Sequence, residues 1–393
     1  MRIRDACSRR ITGGTACFAR SCLLANDPRA DRRRLLGMIH MIARRRLAGH
    51  HVVLALAGPG RHTRLRSNSD TDSQTGRRRP SRRKTERMGP ETAVDAKTGR
   101  KSYLDLPTGL TAREEVTFVL NLHGGGSVGH WQREYFPAYD YLNKYGLVVA
   151  TPSAATKEPT RHWAADADDE YLVDLVESVL DRLGRSRVRA FWLVGHSQGG
   201  MTCHRLLAGH EYFADRVDGW LSLSGGRLGP AERAADFGPP RSKEERKAFE
   251  EAMANLRVFQ RPPTPIADFS FIFTTGEHEI TSLPDTSPWA ERYGAGPRVR
   301  QPDVMDDQPG KIHDARYDAN PALSWGRKPT PGTAQVWVYP GGLADRVIAD
   351  VVRLDKGHTE GLEPRITQEL IRLMVSAPGG KVRALSSAAE PAH

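Results

Sequence analysis

The sequence predicts an α/β fold, a mostly parallel central sheet with helices on both faces and two long excursions over one sheet edge. Three observations support this. From about residue 100, short β-rich runs alternate with helical ones, the order that a parallel sheet with crossover helices imposes. Leu172, Leu175, Val176, Val179, Leu180 and Leu183 recur at i, i+3, i+4, i+7, i+8 and i+11, which is one apolar face of a helix stopped at Gly184. Finally, Phe191–Gly200 reads FWLVGHSQGG, an apolar strand that passes through G-x-S-x-G directly into a helix start made of small residues.

The elements follow in order. Val116–Leu122 reads as a buried strand, Tyr135–Tyr145 as a helix closed by Gly146, and Leu147–Thr151 as the next strand, stopped at Pro152. Asp166–Asp169 supply the carboxylates that favour a helix N-terminus. Val188–Val194 is the strand before the G-x-S-x-G turn and Gly199–Leu207 the helix after it; Trp220–Ser224 is a further strand. Residues 227–265 are rich in proline and charge around a polar helix at Lys243–Leu256, and form the first excursion. Ile266–Thr275 returns as a strand. The second excursion, from about Leu283 to Thr333, carries Trp289, Tyr293 and Trp325 without a clear period; segments of this kind act as pocket walls, lids or surface decoration. Ala334–Tyr339 and Val347–Leu354 are the last strands, Pro364–Val375 is the closing helix, and residues 379–393 are expected as a flexible tail.

Charge divides the chain. Residues 1–90 hold 22 Lys and Arg against 6 Asp and Glu, which leaves 36 of the 58 basic and 41 of the 47 acidic residues to everything that follows. The basic excess therefore belongs to the leader. That leader is rich in Arg, Ser and Gly and shows no sustained apolar period, so it is expected to stay disordered. It reads as a solvated tail, as an arm for nucleic acid or an anionic surface, or as a stretch upstream of a start at Met88. No nucleic-acid partner is expected for residues 100–378, the body of the chain. Leu35–Ala43 and Leu47–Ala57 are too short to span a membrane and too broken by histidine to read clearly as a secretory signal. Cys7, Cys17 and Cys22 lie in the leader and only Cys203 in the body, so the body has no disulfide to make, and neither compartment (cytoplasmic or secreted) nor a metal site follows.

Ser197 is the residue with chemistry to perform. A serine hydroxyl is a weak nucleophile until a sharp strand-to-helix turn exposes it, a histidine takes its proton and backbone amides receive the negative oxygen that forms. Val116–Leu122 leads into His123-Gly124-Gly125-Gly126, a run of bare backbone whose amides can point into a cavity. The amide of Gln198, next to the nucleophile, together with that of Gly125 or Gly126, would make an oxyanion hole. The run lacks both the G-x-G-x-x-G order and the lysine of a phosphate loop. His358, after the last strand and before the last helix, is the histidine placed to reach Ser197. The orienting carboxylate is expected after Ile266–Thr275, where Gly276-Glu277-His278-Glu279 follows; Glu279 is preferred, with Glu277, Asp285 and Asp355 as alternatives.

With LHGGG at Leu122–Gly126 and GHSQGG at Gly195–Gly200, residues 100–378 resemble an α/β-hydrolase-fold serine esterase of the polyhydroxybutyrate-depolymerase and feruloyl-esterase branch. The resemblance implies hydrolysis of a small or polymeric ester with no metal and no organic cofactor. It leaves substrate and oligomeric state open. Members of that branch generally carry aspartate at the acid position, where this chain has Glu279. A peptidase or thioesterase of the same fold uses the same groups. A reading of another class is a non-catalytic scaffold bound to nucleic acid or an acidic surface through its basic arm.

Overall fold

Apolar runs bounded by turn residues become the centre of the sheet. The computed structural model describes residues 89–389, apart from 112–113, 158–159, 235–241, 245–246, 248–261, 318–324 and 326. The strands are β1 (Glu91–Val94), β2 (Lys101–Asp105), β3 (Val116–Leu122), β4 (Leu147–Pro152), β5 (Val188–His196), β6 (Gly219–Leu223) and β7 (Glu232–Arg233). They continue with β8 (Ser270–Gly276), β9 (Ile280–Ser282), β10 (Val299–Arg300), β11 (Val304–Met305), β12 (Thr333–Val338) and β13 (Ile348–Arg353). Among the described residues, eleven of these join in the order β1-β2-β4-β3-β5-β6-β8-β13-β12-β10, with β11 also on β12; β7 and β9 pair separately.

The six central strands, β4, β3, β5, β6, β8 and β13, run parallel, and the flanking strands are antiparallel. A parallel strand covered on both faces needs apolar residues at nearly every position rather than at alternate ones. β3, VTFVLNL, is buried throughout, and so is β8, SFIFTTG.

The helices are α1 (Gly129–Tyr135), α2 (Leu142–Tyr145), α3 (Ala165–Leu183), α4 (Gln198–Gly209), α5 (Glu211–Arg216), α6 (Pro288–Arg292), α7 (Pro364–Ser376) and α8 (Lys381–Ala389). One face of the sheet packs Phe118, Phe191 and Trp220 against Leu172, Val176 and Leu180 of α3 and Leu206 of α4. The other packs Val149, Trp192 and Ile272 with Ile366, Leu370 and Met374 of α7. Trp192 and Trp220, both fully buried, thus lie in opposite layers, as the alternation of side chains across a sheet requires.

Two elements depart from the sequence reading. The helix expected at Tyr135–Tyr145 is broken: α1 ends at Tyr135, a 3₁₀ turn covers Ala138–Tyr141, and α2 follows. Pro137 at the break has no amide hydrogen to donate and disfavours helical backbone at the residue before it. Residues 379–393, expected as a tail, include α8, whose Val382 is buried in the first core layer and whose Lys381 amide donates to Asp218 Oδ1 at 3.2 Å. Gly379 makes this possible, since a Cβ there would lie 2.2 Å from the Arg189 carbonyl oxygen. Nearly all of the predicted leader and most of the expected Lys243–Leu256 helix lie outside the described residues.

Strand order reverses between β3 and β5, because β4 lies on one side of β3 and β5 on the other. In an open parallel sheet such a reversal leaves a crevice beyond the carboxyl ends of the strands. Register aligns those ends: Leu122 beside Gly195, His196 beside Leu223, Leu223 beside Thr274, and Gly276 beside Arg353. The loops after β3, β5, β6, β8 and β13 therefore open on one edge.

Candidate active site

Ser197 occupies the turn between β5 and α4 with φ 52° and ψ −118°, a strained conformation for a residue with a side chain. Two glycines make the turn possible. A Cβ on Gly195 would lie 2.4 Å from the Gly199 carbonyl carbon, and one on Gly199 would lie 2.3 Å from the Leu122 carbonyl oxygen. The Ser197 amide donates to the Leu223 carbonyl at 2.8 Å, which ties the turn to β6.

The loop after β13 brings His358 to that hydroxyl. Nε2 lies 2.8 Å from Ser197 Oγ, and Nδ1 lies 2.6 Å from Glu279 Oε2. Because a carboxylate has no proton to give, Nδ1–H donates to Glu279, which leaves Nε2 to accept the serine proton. Both residues are buried.

Glu279 closes the 3₁₀ turn that follows β8. Its Oε1 accepts from the Ser224 hydroxyl at 2.7 Å and the Gly276 amide at 2.9 Å. Burial alone would raise its pKa, but the charge of His358 and the hydrogen bonds from His358, Ser224 and Gly276 outweigh burial and hold the pKa at about 2. The other candidate acids face elsewhere. Glu277 Oε2 accepts the Asp355 amide, Asp285 pairs with Arg298 at the surface, and Asp355 pairs with His278 and Arg327.

The glycine loop after β3 lies beside Ser197. His123 fixes its shape: Nδ1–H donates to the Gly124 carbonyl at 2.8 Å, Nε2 accepts the Ala154 amide at 3.0 Å, and the His123 carbonyl accepts from Trp163 Nε1 at 2.8 Å. Burial depresses this imidazole to a pKa of about 4, so the ring stays neutral and keeps both roles at neutral pH. Gly126 differs from the expectation that it is an alternative to Gly125. Its amide already donates to the Arg161 carbonyl at 2.7 Å. Of the two glycine amides proposed, Gly125 is the one without that commitment, and Gln198 at the first turn of α4 has no carbonyl behind it within the helix.

Sequence reasoning missed two supports. Ser224, at the end of β6 with φ 53°, holds Glu279 from the side away from the imidazole. His196, Nε2–H to the His358 carbonyl at 2.9 Å, fixes the backbone of the histidine loop with Tyr135, whose hydroxyl reaches the same oxygen at 3.3 Å. Each comes from a different strand or helix than the group it supports, so no local spacing marks it. The adjacency of His196 to Ser197 and of Ser224 to the end of a predicted strand were the only available signals.

The cleft over Ser197 has a volume of about 290 Å³. Gly124–Val128 and Trp131 line one side, and His313, Asp314, Arg316 and Trp325 of the second excursion line the other. Among the described residues, no group of three or more His, Cys, Asp or Glu side chains is arranged to hold a metal ion, and no helix is long and apolar enough to cross a membrane. Cys203 is a buried free thiol in α4.

The sequence model of the alpha/beta hydrolase family matches residues 119–382. No curated protein matches the chain. Among solved structures, an acetyl xylan esterase from Aspergillus awamori aligns at 12% identity and a TM-score of 0.40, covering 73% of this chain and 100% of that one. A soluble variant of the monoglyceride lipase from Saccharomyces cerevisiae aligns at 14% identity and a TM-score of 0.34, over 55% of this chain and 84% of the other. The apo form of Thermogutta terrifontis esterase 2 aligns at 15% identity and a TM-score of 0.32, over 49% and 73%.

Proposed function

The chain belongs to the alpha/beta hydrolase family, and from that premise we propose that it is a serine hydrolase that cleaves carboxylic esters through an acyl-enzyme. Ser197 Oγ attacks the ester carbonyl carbon while His358 Nε2 takes its proton. Glu279 holds the imidazole in the tautomer that can accept and balances the imidazolium that results. The carbonyl oxygen becomes an oxyanion and receives the amide hydrogens of Gly125 and Gln198, donors that need no reorganisation at the moment of charge development. Collapse breaks the bond to the alcohol, which leaves with the proton from His358. Water then repeats the sequence on the acyl group, and release of the acid restores Ser197.

The observation that carries this reading is the continuous hydrogen-bonded line from Ser197 Oγ through His358 to Glu279, at 2.8 and 2.6 Å. Three residues distant in sequence meet there in the order and roles that acyl transfer needs. The choice of ester over peptide or thioester rests on the resemblance of LHGGG and GHSQGG to the polyhydroxybutyrate-depolymerase and feruloyl-esterase branch.

The test is covalent labelling by a fluorophosphonate, followed by a panel of short-chain esters, thioesters and peptides. The wild-type protein should label on Ser197 and turn over esters best, and Ser197→Ala should lose labelling while its circular dichroism is unchanged. Turnover should fall by about 10⁶-fold, the scale set by loss of a nucleophile that acts as part of a unit. Labelling that persists in Ser197→Ala would remove Ser197 from the mechanism.

A further inference from the structure

One face of the His358 imidazole is covered by a residue to which the acyl-transfer scheme gives no part. The indole of Trp325 stacks on that ring with centroids 4.3 Å apart and planes 22° from parallel. The His196 ring also lies near, at 4.9 Å and 42°. The two nitrogens of the imidazole are meanwhile engaged by Glu279 and Ser197.

The loop that carries His358 holds Trp325, Arg327 and Thr330 at three points. The Thr359 amide and hydroxyl donate to the Trp325 carbonyl at 3.0 and 2.5 Å. Lys356, fully buried, donates from Nζ to the Thr330 carbonyl and hydroxyl at 2.6 and 2.7 Å. Asp355 pairs with Arg327 at 2.6 Å. Lys356 is in turn held by Glu363 at 3.3 Å, and Glu363 by Arg353 at 3.0 Å, a cluster from which water is excluded. A buried ammonium is costly unless its protons find acceptors, and here backbone and hydroxyl oxygens of residues 330–331 supply them. The same short loop therefore sets the position of the imidazole and of the indole above it.

We propose that Trp325 is a positioning residue for His358: its π face fixes the plane of the imidazole and stabilises the positive charge the ring gains when it takes the Ser197 proton. The physical basis is the negative face of an indole, which attracts a cation stacked on it. That attraction is stronger for imidazolium than for imidazole, so it favours the transition state over the resting state. This inference rests on the serine-hydrolase reading above.

Other groups also bear on the charge of His358: Glu279 at Nδ1, Ser197 at Nε2, neutral His196 with its ring 4.9 Å away, the buried Lys356 and Glu360 of its own loop, the Asp355–Arg327 pair, Tyr135 at its carbonyl, and His313, Asp314 and Arg316 of the cleft lining. Replacing the indole leaves the identity of each of these groups unchanged, and comparing Trp325→Phe, which keeps an aromatic face, with Trp325→Leu, which does not, makes the pH profile report on the π face.

The test compares wild type, Trp325→Phe and Trp325→Leu on two esters that differ in acyl group. Trp325→Leu should lower kcat about tenfold on both esters with KM little changed, and Trp325→Phe should recover most of it. The apparent pKa of the acidic limb of kcat/KM should fall by about half a unit in Trp325→Leu, because loss of the π face disfavours the protonated ring. A measurement that needs no substrate stands beside these. The Cε1 proton of His358 should resonate upfield in wild type from the indole ring current and shift downfield in Trp325→Leu.

A loss confined to KM of one ester would make Trp325 a substrate contact and overturn the proposal, as would an unchanged kcat and pH profile. If the wild type neither labels with fluorophosphonate nor hydrolyses esters, the serine-hydrolase reading falls and takes this inference with it. If it labels and hydrolyses normally while Trp325→Leu matches it, only the inference falls.

Discussion

The two sides of the cleft are built differently. The inner side, at the sheet edge, consists of short loops from β3, β5, β6, β8 and β13 that are tied together by backbone hydrogen bonds and in which several positions admit only glycine. The outer side is the second excursion, where Asp314 and Arg316 pair with each other and the Arg316 side chain is 72% exposed. The contrast separates two degrees of constraint. Ser197, His358 and Glu279 sit on the sheet-edge loops, whereas the exposed Arg316 of the wall can vary with little effect on them; Trp325 is the part of that wall bound to the inner side. Glu279 and Glu277, two residues apart, make the same contrast within one turn: the first is buried against His358, and the second points outward to the Asp355 amide.

That pair offers the sharpest way to break the comparison. Glu279→Gln keeps the shape but removes the charge that orients His358, and kcat should fall by about 10⁴-fold. Glu277→Gln should stay within about twofold, as surface substitutions away from the chemistry do. Steady-state kinetics on one ester decides it, and the reverse ranking would move the acid role to the outer side.

Ser224→Ala sharpens the comparison at intermediate size. It deletes one of the three hydrogen bonds that hold the Glu279 carboxylate, and the loss of a bond to a charged group should reduce kcat by about tenfold or somewhat more. A rate equal to wild type would mean that the Gly276 amide and His358 suffice to orient Glu279.

The smallest effect on turnover concerns pH and stability. Burial lowers His123 from 6.5 to about 4 and His196 from 6.5 to about 3. Between those values and 6.5 the unfolded chain binds more protons than the folded one, so stability rises with pH across that window and is lost as pH falls through it. Glu279, held at about 2, adds a loss that begins below its ordinary value of 4.5. The melting temperature should therefore decline from about pH 6.5 downward and more steeply below about 4.5. A flat profile between pH 6.5 and 4 would show that the inner side does not hold its histidines neutral.

Much of this was legible from spacing. The strand before Ser197, the helix after it and the apolar face of α3 are local patterns, and backbone sterics make a G-x-S-x-G turn readable wherever it occurs. The order Ser197, Glu279, His358 follows from strand succession once each residue is seen to trail a strand. Local reading failed where a distant partner decided the outcome. Gly126 and Gly125 look alike in sequence, yet the Arg161 carbonyl takes the amide of one of them. Lys381–Ala389 is only nine residues long, too short to declare a helix by itself, and it forms where Asp218 and the start of β5 receive it.

Sequence alone determined the main succession of strands and helices, the turn that carries Ser197, and the loops that carry His358 and the candidate carboxylates, because each depends on residues that are neighbours along the chain or on strand order. Tertiary structure alone decided which glycine amide the Arg161 carbonyl takes, which carboxylate meets His358, which hydroxyl steadies Glu279 and which indole covers the imidazole. Those choices depend on atoms brought within about 3 to 4 Å by the closing of the sheet, and contact at that range between residues far apart in the chain is a property of packing that no spacing encodes.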